Sequence, residues 1–125
     1  MKSQENLIQL GGMYMAKKKY LFVCKMGKSR SPTAARVAYE IADEKGIYAD
    51  MFYGAAHEGN VDSVTERHIN TYQKIFVMEL WMASKIRRIG YKRELRCLNI
   101  PDRYSFLDPQ LVDILRGKLE KLISP

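Results

Sequence analysis

The chain has 125 residues, 46% hydrophobic and 28% charged, and carries a formal net charge of +7 at neutral pH. That length suits one domain able to bury a core without disulfide or metal staples. No apolar run approaches a membrane span, and the first seven residues lack the apolar core and cleavage site of a signal peptide.

Residues 1–14 carry one lysine and one glutamate, contain Gly11-Gly12 and show no clear period. They read as a leader set apart from the domain, of a kind that is often poorly ordered or not native to it. A short helix docking through Leu7, Ile8 and Leu10 would leave the reading of the site unchanged. Residues 15–125 read as a single catalytic domain. Tyr20 to Val23 is a buried strand that stops at Cys24. Ser31 is expected to cap a helix with Pro32 in its first turn. Ala34, Val37, Ala38, Ile41 and Ala42 recur at helical spacing, and Gly46 supplies a left-handed stop. Ala49 to Tyr53 suggests a second strand, followed by the glycine-bounded loop Gly54 to Asn60 that holds His57. Val61, Val64, His68 and Tyr72 mark a second helix, with His68 on its apolar stripe as a core histidine. Lys74 to Met78 reads as a third strand. Met82, Ile86 and Ile89 form the stripe of a helix ended by Gly90. Cys97 to Ile100 is the expected fourth strand. Asp108-Pro109 then opens a last helix striped by Leu111, Leu115, Leu119 and Leu122.

Strand and helix thus alternate four times, the pattern of an α/β protein with a parallel sheet covered on both faces. Ligands of such sheets bind beyond the carboxyl ends of the strands. Cys24, the His57 loop, Glu79 and Asp102 each follow a strand and fall on that one edge.

The most informative stretch runs from Tyr20 to Pro32. A strand, a short glycine-containing loop and a helix start form an anion cradle, because loop amides and the helix N-terminus aim their N–H groups at one place. A thiol at its entrance is favoured as the thiolate. Arg30 adds a planar fork for two phosphate oxygens. Gly27-Lys28-Ser29 imitates the end of a nucleotide-binding Walker loop, but Phe22 stands where that motif needs its first glycine. A lone strand-end cysteine is commonly inert. Arg30, Ser31 and the helix start at these offsets favour a cysteine nucleophile aimed at phosphate.

Cys-x5-Arg-Ser-Pro after a hydrophobic strand resembles the low-molecular-weight protein tyrosine phosphatases. Ile75-Phe76-Val77-Met78-Glu79 and Ile100-Pro101-Asp102-Arg103-Tyr104 resemble that family too, in the right order, so the likeness spans most of residues 19 to 123. It implies a three-layer, flavodoxin-like fold with four central parallel strands flanked by helices. It also implies hydrolysis of phosphotyrosine or another aryl phosphate monoester through a phosphocysteine intermediate, in the cytoplasm, whose reducing conditions suit a reactive thiol. Cys24 would be the nucleophile. The amides of Lys25, Met26, Gly27, Lys28, Ser29 and Arg30, with the Arg30 guanidinium, would bind phosphate. Ser31 would donate its hydroxyl to the sulfur. The family's acid is the aspartate of an Asp-Pro-Tyr segment after the last strand, and two residues compete for that role. Asp108 precedes a proline, but its placement suits helix capping. Asp102 leaves the fourth strand at the catalytic edge and is the expected acid; Tyr104, two residues on, is the best-placed aromatic wall, ahead of Trp81 and Tyr53. Arg103 replaces the usual proline. Gly27 replaces a common asparagine, and Ser29 stands where many members carry a second, protective cysteine, so Cys24 is expected to overoxidise without a local disulfide.

No cluster of His, Cys or carboxylates calls for a metal, and no cofactor is implied. The expected partners are a phosphotyrosine protein or a small aryl phosphate, with inorganic phosphate or a similar oxyanion in the loop. Neither a membrane nor nucleic acid is expected. The basic stretch 85–96 lacks basic–aromatic alternation and reads as a solvated face, or as a docking surface for an acidic or phosphorylated partner. Two alternatives stand beside the phosphatase: an arsenate reductase-like enzyme on the same fold, and a non-catalytic phosphate- or phosphopeptide-binding module.

Overall fold

A strand that is apolar on both faces needs cover on both sides. The computed structural model describes residues 7–10, 13–56 and 67–124. In it β1 (Leu7–Leu10) and β2 (Met13–Ala16) pair antiparallel as a separate two-stranded sheet. The main sheet is parallel and comprises β3 (Lys18–Cys24), β4 (Ala49–Ala55), β5 (Lys74–Val77) and β6 (Glu94–Cys97), in the order β4-β3-β5-β6. Tyr20 to Cys24 and Ile75 to Val77 on the two central strands are buried throughout. Phe22 and Phe76 stack across them, with ring centroids 4.8 Å apart and planes 8° from parallel. Truncating either ring to alanine would cost about 3–5 kcal/mol.

Among the described residues, three helices flank the sheet: α1 (Arg30–Glu44), α2 (Leu80–Arg88) and α3 (Pro109–Leu119). The β3–α1–β4 and β5–α2–β6 crossovers step outward in opposite directions from the centre. Right-handed connections therefore place α1 and α2 on opposite faces, while α3 packs against α1. Ala34, Ala35, Ala38 and Ala42 are all buried, so α1 lies close to the sheet. Gly46 and Gly90, at φ 70° and 99°, end α1 and α2 where the sequence places left-handed stops. The α/β class and the four-stranded parallel sheet between helical layers agree with expectation.

Several local expectations do not hold. The short helix considered for the leader is replaced by strands β1 and β2. The fourth strand runs over Glu94–Cys97 rather than Cys97 to Ile100. Asn99, at φ 56°, breaks the extended run, although Leu98 N still donates to Val77 O and Ile100 N to Met78 O. The charged residues Glu94 and Arg96 hid an edge strand whose Leu95 and Cys97 pack against the core. Helix α1 begins two residues early, at Arg30, with Ser29 rather than Ser31 at the cap position and no side-chain cap hydrogen bond from it. Ser31 lies inside the helix, its hydroxyl engaged elsewhere. His68 is exposed, at the start of a 3₁₀ turn (Ile69–Thr71), and the buried side chains nearby are Ile69 and Tyr72. His57, Val61 and Val64 lie outside the described residues.

Candidate active site

Cys24 ends β3, and the residue after each neighbouring strand still bonds to it: Ala56 N donates to Cys24 O, and Met78 N to Val23 O. The chain must turn sharply there to start α1, and Gly27 permits it at φ 69°. A Cβ on Gly27 would also stand 3.3 Å from the Gly54 carbonyl carbon, so the loop rests closely on the end of β4. The turn brings Gly27 N to 3.2 Å from Cys24 Sγ as a donor. Ser31 Oγ stands 3.1 Å from the same sulfur and 3.4 Å from Gly54 O. The sulfur is therefore buried, accepts from the Gly27 amide and lies within hydrogen-bond reach of the Ser31 hydroxyl. The occupied Ser31 hydroxyl explains why this residue does not cap the helix.

Arg30 is 1% exposed, an uncommon fate for an arginine. Its Nη1 donates to Glu79 Oε2 and to Ile100 O, both at 2.6 Å. Among the described residues, Nε and Nη2 are buried without a hydrogen-bond partner, and Asp102 Oδ1 stands 3.7 Å from Nη2. One side of the guanidinium is thus anchored, while the Nε–Nη2 edge presents two parallel donors, the geometry that takes two oxygens of a tetrahedral anion. The Arg30 hydrogen bond holds the Glu79 carboxyl below the usual carboxylate range. Partial burial opposes this, and a second donor, Trp81 Nε1, supports it. The sequence places Glu79 at the catalytic edge without assigning it a role. Its motif signal was present, but its partner lies 49 residues earlier in sequence.

The loop after β6 treats its two aspartates differently. Asp108 Oδ1 accepts from Gln110 N and caps α3 over Pro109. Asp102 is half-exposed at the mouth, beside Arg30. Thr33 ties this loop to the cradle: its hydroxyl donates to Ser29 O at 2.6 Å and accepts from Leu107 N at 3.0 Å. Leu107 sits at φ 60°, a strained conformation for leucine that this tether helps to hold. Sequence reading gave Thr33 no part, because a threonine in the first turn of a helix carries no mark of a partner 74 residues away.

Other expected site residues are distributed as follows. Lys25, Glu79 and Asp102 line a cleft of about 580 Å³ that opens beside the cradle. Met26 and Lys28 are exposed. Tyr104 is not a wall of this cleft: its ring is 7% exposed, packed into the core, and its hydroxyl meets Arg103 Nη2. The aromatic wall is Trp81. Tyr53 lines a different depression, with Tyr39 and Pro32. Cys97, half-buried, approaches Asn99 Oδ1. Val23 and Cys97 both align with Val77, so two strand spacings, about 10 Å, separate the strands. A disulfide spans at most about 7 Å between Cα atoms.

The fold so described is that of the low-molecular-weight protein tyrosine phosphatases. Among solved structures, it is similar to the tyrosine phosphatase Wzb from Escherichia coli K30 in complex with phosphate, with a TM-score of 0.62 and 17% identity, over 86% of this chain and 96% of that one. It is also similar to a protein tyrosine phosphatase from Entamoeba histolytica, with a TM-score of 0.62 and 19% identity over 86% and 95% of the two chains. A YwlE mutant from Bacillus subtilis gives a TM-score of 0.59 and 19% identity over 86% and 97%. No family model matches the sequence, and no curated protein matches it. Among the described residues, no helix is long and apolar enough to cross a membrane.

Proposed function

We propose that the chain is a phosphatase of the low-molecular-weight protein tyrosine phosphatase family, hydrolysing phosphotyrosine or other aryl phosphate monoesters through a phosphocysteine. The observation that carries this reading is Arg30: buried, anchored through Nη1, and offering an unbonded Nε–Nη2 edge beside Asp102. A buried guanidinium edge without partners is costly unless an anion meets it.

The thiolate of Cys24 attacks phosphorus, a sulfur–phosphorus bond forms, and the bond to the ester oxygen breaks. The Arg30 edge and the amides of residues 25–30 hold the three equatorial oxygens as charge redistributes. Asp102, in its acid form, gives its proton to the departing oxygen. Its carboxylate then takes a proton from water, whose oxygen displaces the sulfur and releases inorganic phosphate. Ser31 and the Gly27 amide stabilise the sulfur each time it carries negative charge. The chemistry requires a reduced Cys24, which suits the cytoplasm.

Hydrolysis of para-nitrophenyl phosphate by the wild type and by Cys24→Ser tests the proposal, with arsenate reduction assayed in parallel. A phosphoarginine peptide belongs beside the phosphotyrosine ones, because one structural neighbour is named as the YwlE arginine phosphatase. Turnover by the wild type alone supports the reading. Phosphate binding without turnover would instead indicate a binding module.

A further inference from the structure

We propose that Trp81 selects aromatic esters by lying against the ring of the substrate. This deepens the phosphatase reading and rests on it. With an anion on the Nε–Nη2 edge of Arg30, beside Asp102, the rest of an ester lies in the cleft that Asp102 lines. Among the described residues, Trp81 is the one aromatic side chain lining that cleft. Tyr104 is buried in the core, and Tyr39 and Tyr53 line another depression. A half-buried indole in the first turn of α2, in contact with the core, is ordinarily no more than a packing residue.

Two observations give Trp81 more than that part. Its Nε1 donates to Glu79 Oε1 at 3.1 Å, while Glu79 Oε2 accepts from Arg30 Nη1 at 2.6 Å. A single carboxylate therefore fixes both the buried arginine and the indole, and sets their relative position. Glu79 also stands at the cap position of α2, yet its side chain makes no cap hydrogen bond there. Its carboxylate serves Arg30 and Trp81 instead of its own helix. The guanidinium is thus flanked by Asp102 on its Nη2 side and, through Glu79, by the indole on its Nη1 side. An aryl ester held at the open edge would have its bridging oxygen within reach of Asp102 and its ring in the space beside Trp81. An indole held by its N–H meets that ring already oriented, and contact between aromatic rings adds to the gain from burial.

Calorimetric titration with phenylphosphonate and methylphosphonate, which share the anion and differ in the ring, tests this in the wild type, Trp81→Leu and Trp81→Phe. The wild type should bind phenylphosphonate about tenfold more tightly than methylphosphonate. Trp81→Leu keeps apolar bulk against the core but removes the ring. It should lose most of that preference with its methylphosphonate affinity unchanged, while Trp81→Phe should keep most of it. In steady-state assays Trp81→Leu should raise KM for para-nitrophenyl phosphate with kcat within about twofold, because the ring is held equally in ground and transition states. A phenyl preference that survives Trp81→Leu, or is missing from the wild type, would overturn the assignment and leave the phosphatase standing. So would an equal loss of affinity for both phosphonates in the two variants, the mark of a structural residue. Absence of para-nitrophenyl phosphate turnover by the wild type counts against the phosphatase reading alone, since the titrations still decide the role of Trp81.

Discussion

Two loops meet at the carboxyl edge of the sheet, and they are built on different principles. Residues 25–30 form a closed grip. Its sulfur is buried between an amide and a hydroxyl, and its arginine is pinned from β5 and from the segment after β6. Residues 101–108 form an open arm, with Asp102 half-exposed and the backbone tethered through Leu107 to Thr33 and through Asp108 to α3. A tetrahedral anion must be held rigidly by many donors, whereas an acid must admit and release a leaving group. The difference teaches which substitutions should abolish turnover and which should only misplace a proton.

The sharpest break is in the grip. Cys24→Ser should reduce phosphate-ester turnover by at least about 10³-fold, while Cys97→Ser, at the end of an edge strand, should stay within about twofold. Steady-state assays of both cysteine variants decide this. Next is the arm. Asp102→Asn should cost about 10²-fold in kcat, most of all with poor leaving groups. Asp108→Asn should leave kcat intact, since asparagine caps as well as aspartate, and Asp108→Ala should cost about 1 kcal/mol of stability in denaturant unfolding. A larger kcat loss at 108 than at 102, with folding intact, would exchange the two roles.

A smaller effect falls on the supports. Glu79→Gln keeps an acceptor for Arg30 but removes its charge partner, and should lower kcat/KM about tenfold. Thr33→Val cuts the link between grip and arm. It should lower kcat by a few-fold while leaving the affinity for inorganic phosphate unchanged, a combination visible from product inhibition.

The smallest effect lies away from both loops. Tyr91 OH bridges Tyr72 O and Glu94 O, and burial pushes its hydroxyl up to about 12 from 10. The unfolded chain therefore loses this proton first, so stability falls as pH rises from 10 to 12. Burial pushes Tyr20 up as well and adds to the same window. Tyr91→Phe should cost about 1 kcal/mol at neutral pH and reduce that alkaline slope without abolishing it, as measured by urea unfolding across the range.

Sequence was most informative where structure is local. Cys24, Gly27 and Arg30 lie within seven positions, and the strand, turn and helix around them follow from apolar runs and a glycine. Asp108 as a helix cap was legible for the same reason. What escaped were partners brought together by the sheet: Glu79 with Arg30, Leu107 with Thr33, and which of the three candidate aromatics lines the cleft, Trp81 rather than Tyr104 or Tyr53. The strand β6 escaped because an edge strand tolerates Glu94 and Arg96, whereas the apolar residues after it are interrupted by the left-handed Asn99. Ser31 was expected in two roles; it lies inside α1 rather than at its cap, and its hydroxyl is within reach of both Cys24 Sγ and Gly54 O.

The central claim, that Cys24 is the group attacking phosphorus, is tested most directly by trapping the intermediate. Rapid acid quench of the enzyme during turnover of an aryl phosphate, followed by peptide mass spectrometry, should find one phosphoryl group on the peptide containing Cys24 and none on that containing Cys97. Turnover with no phosphorylated Cys24 at any quench time, or with the phosphoryl group on another residue, would contradict it.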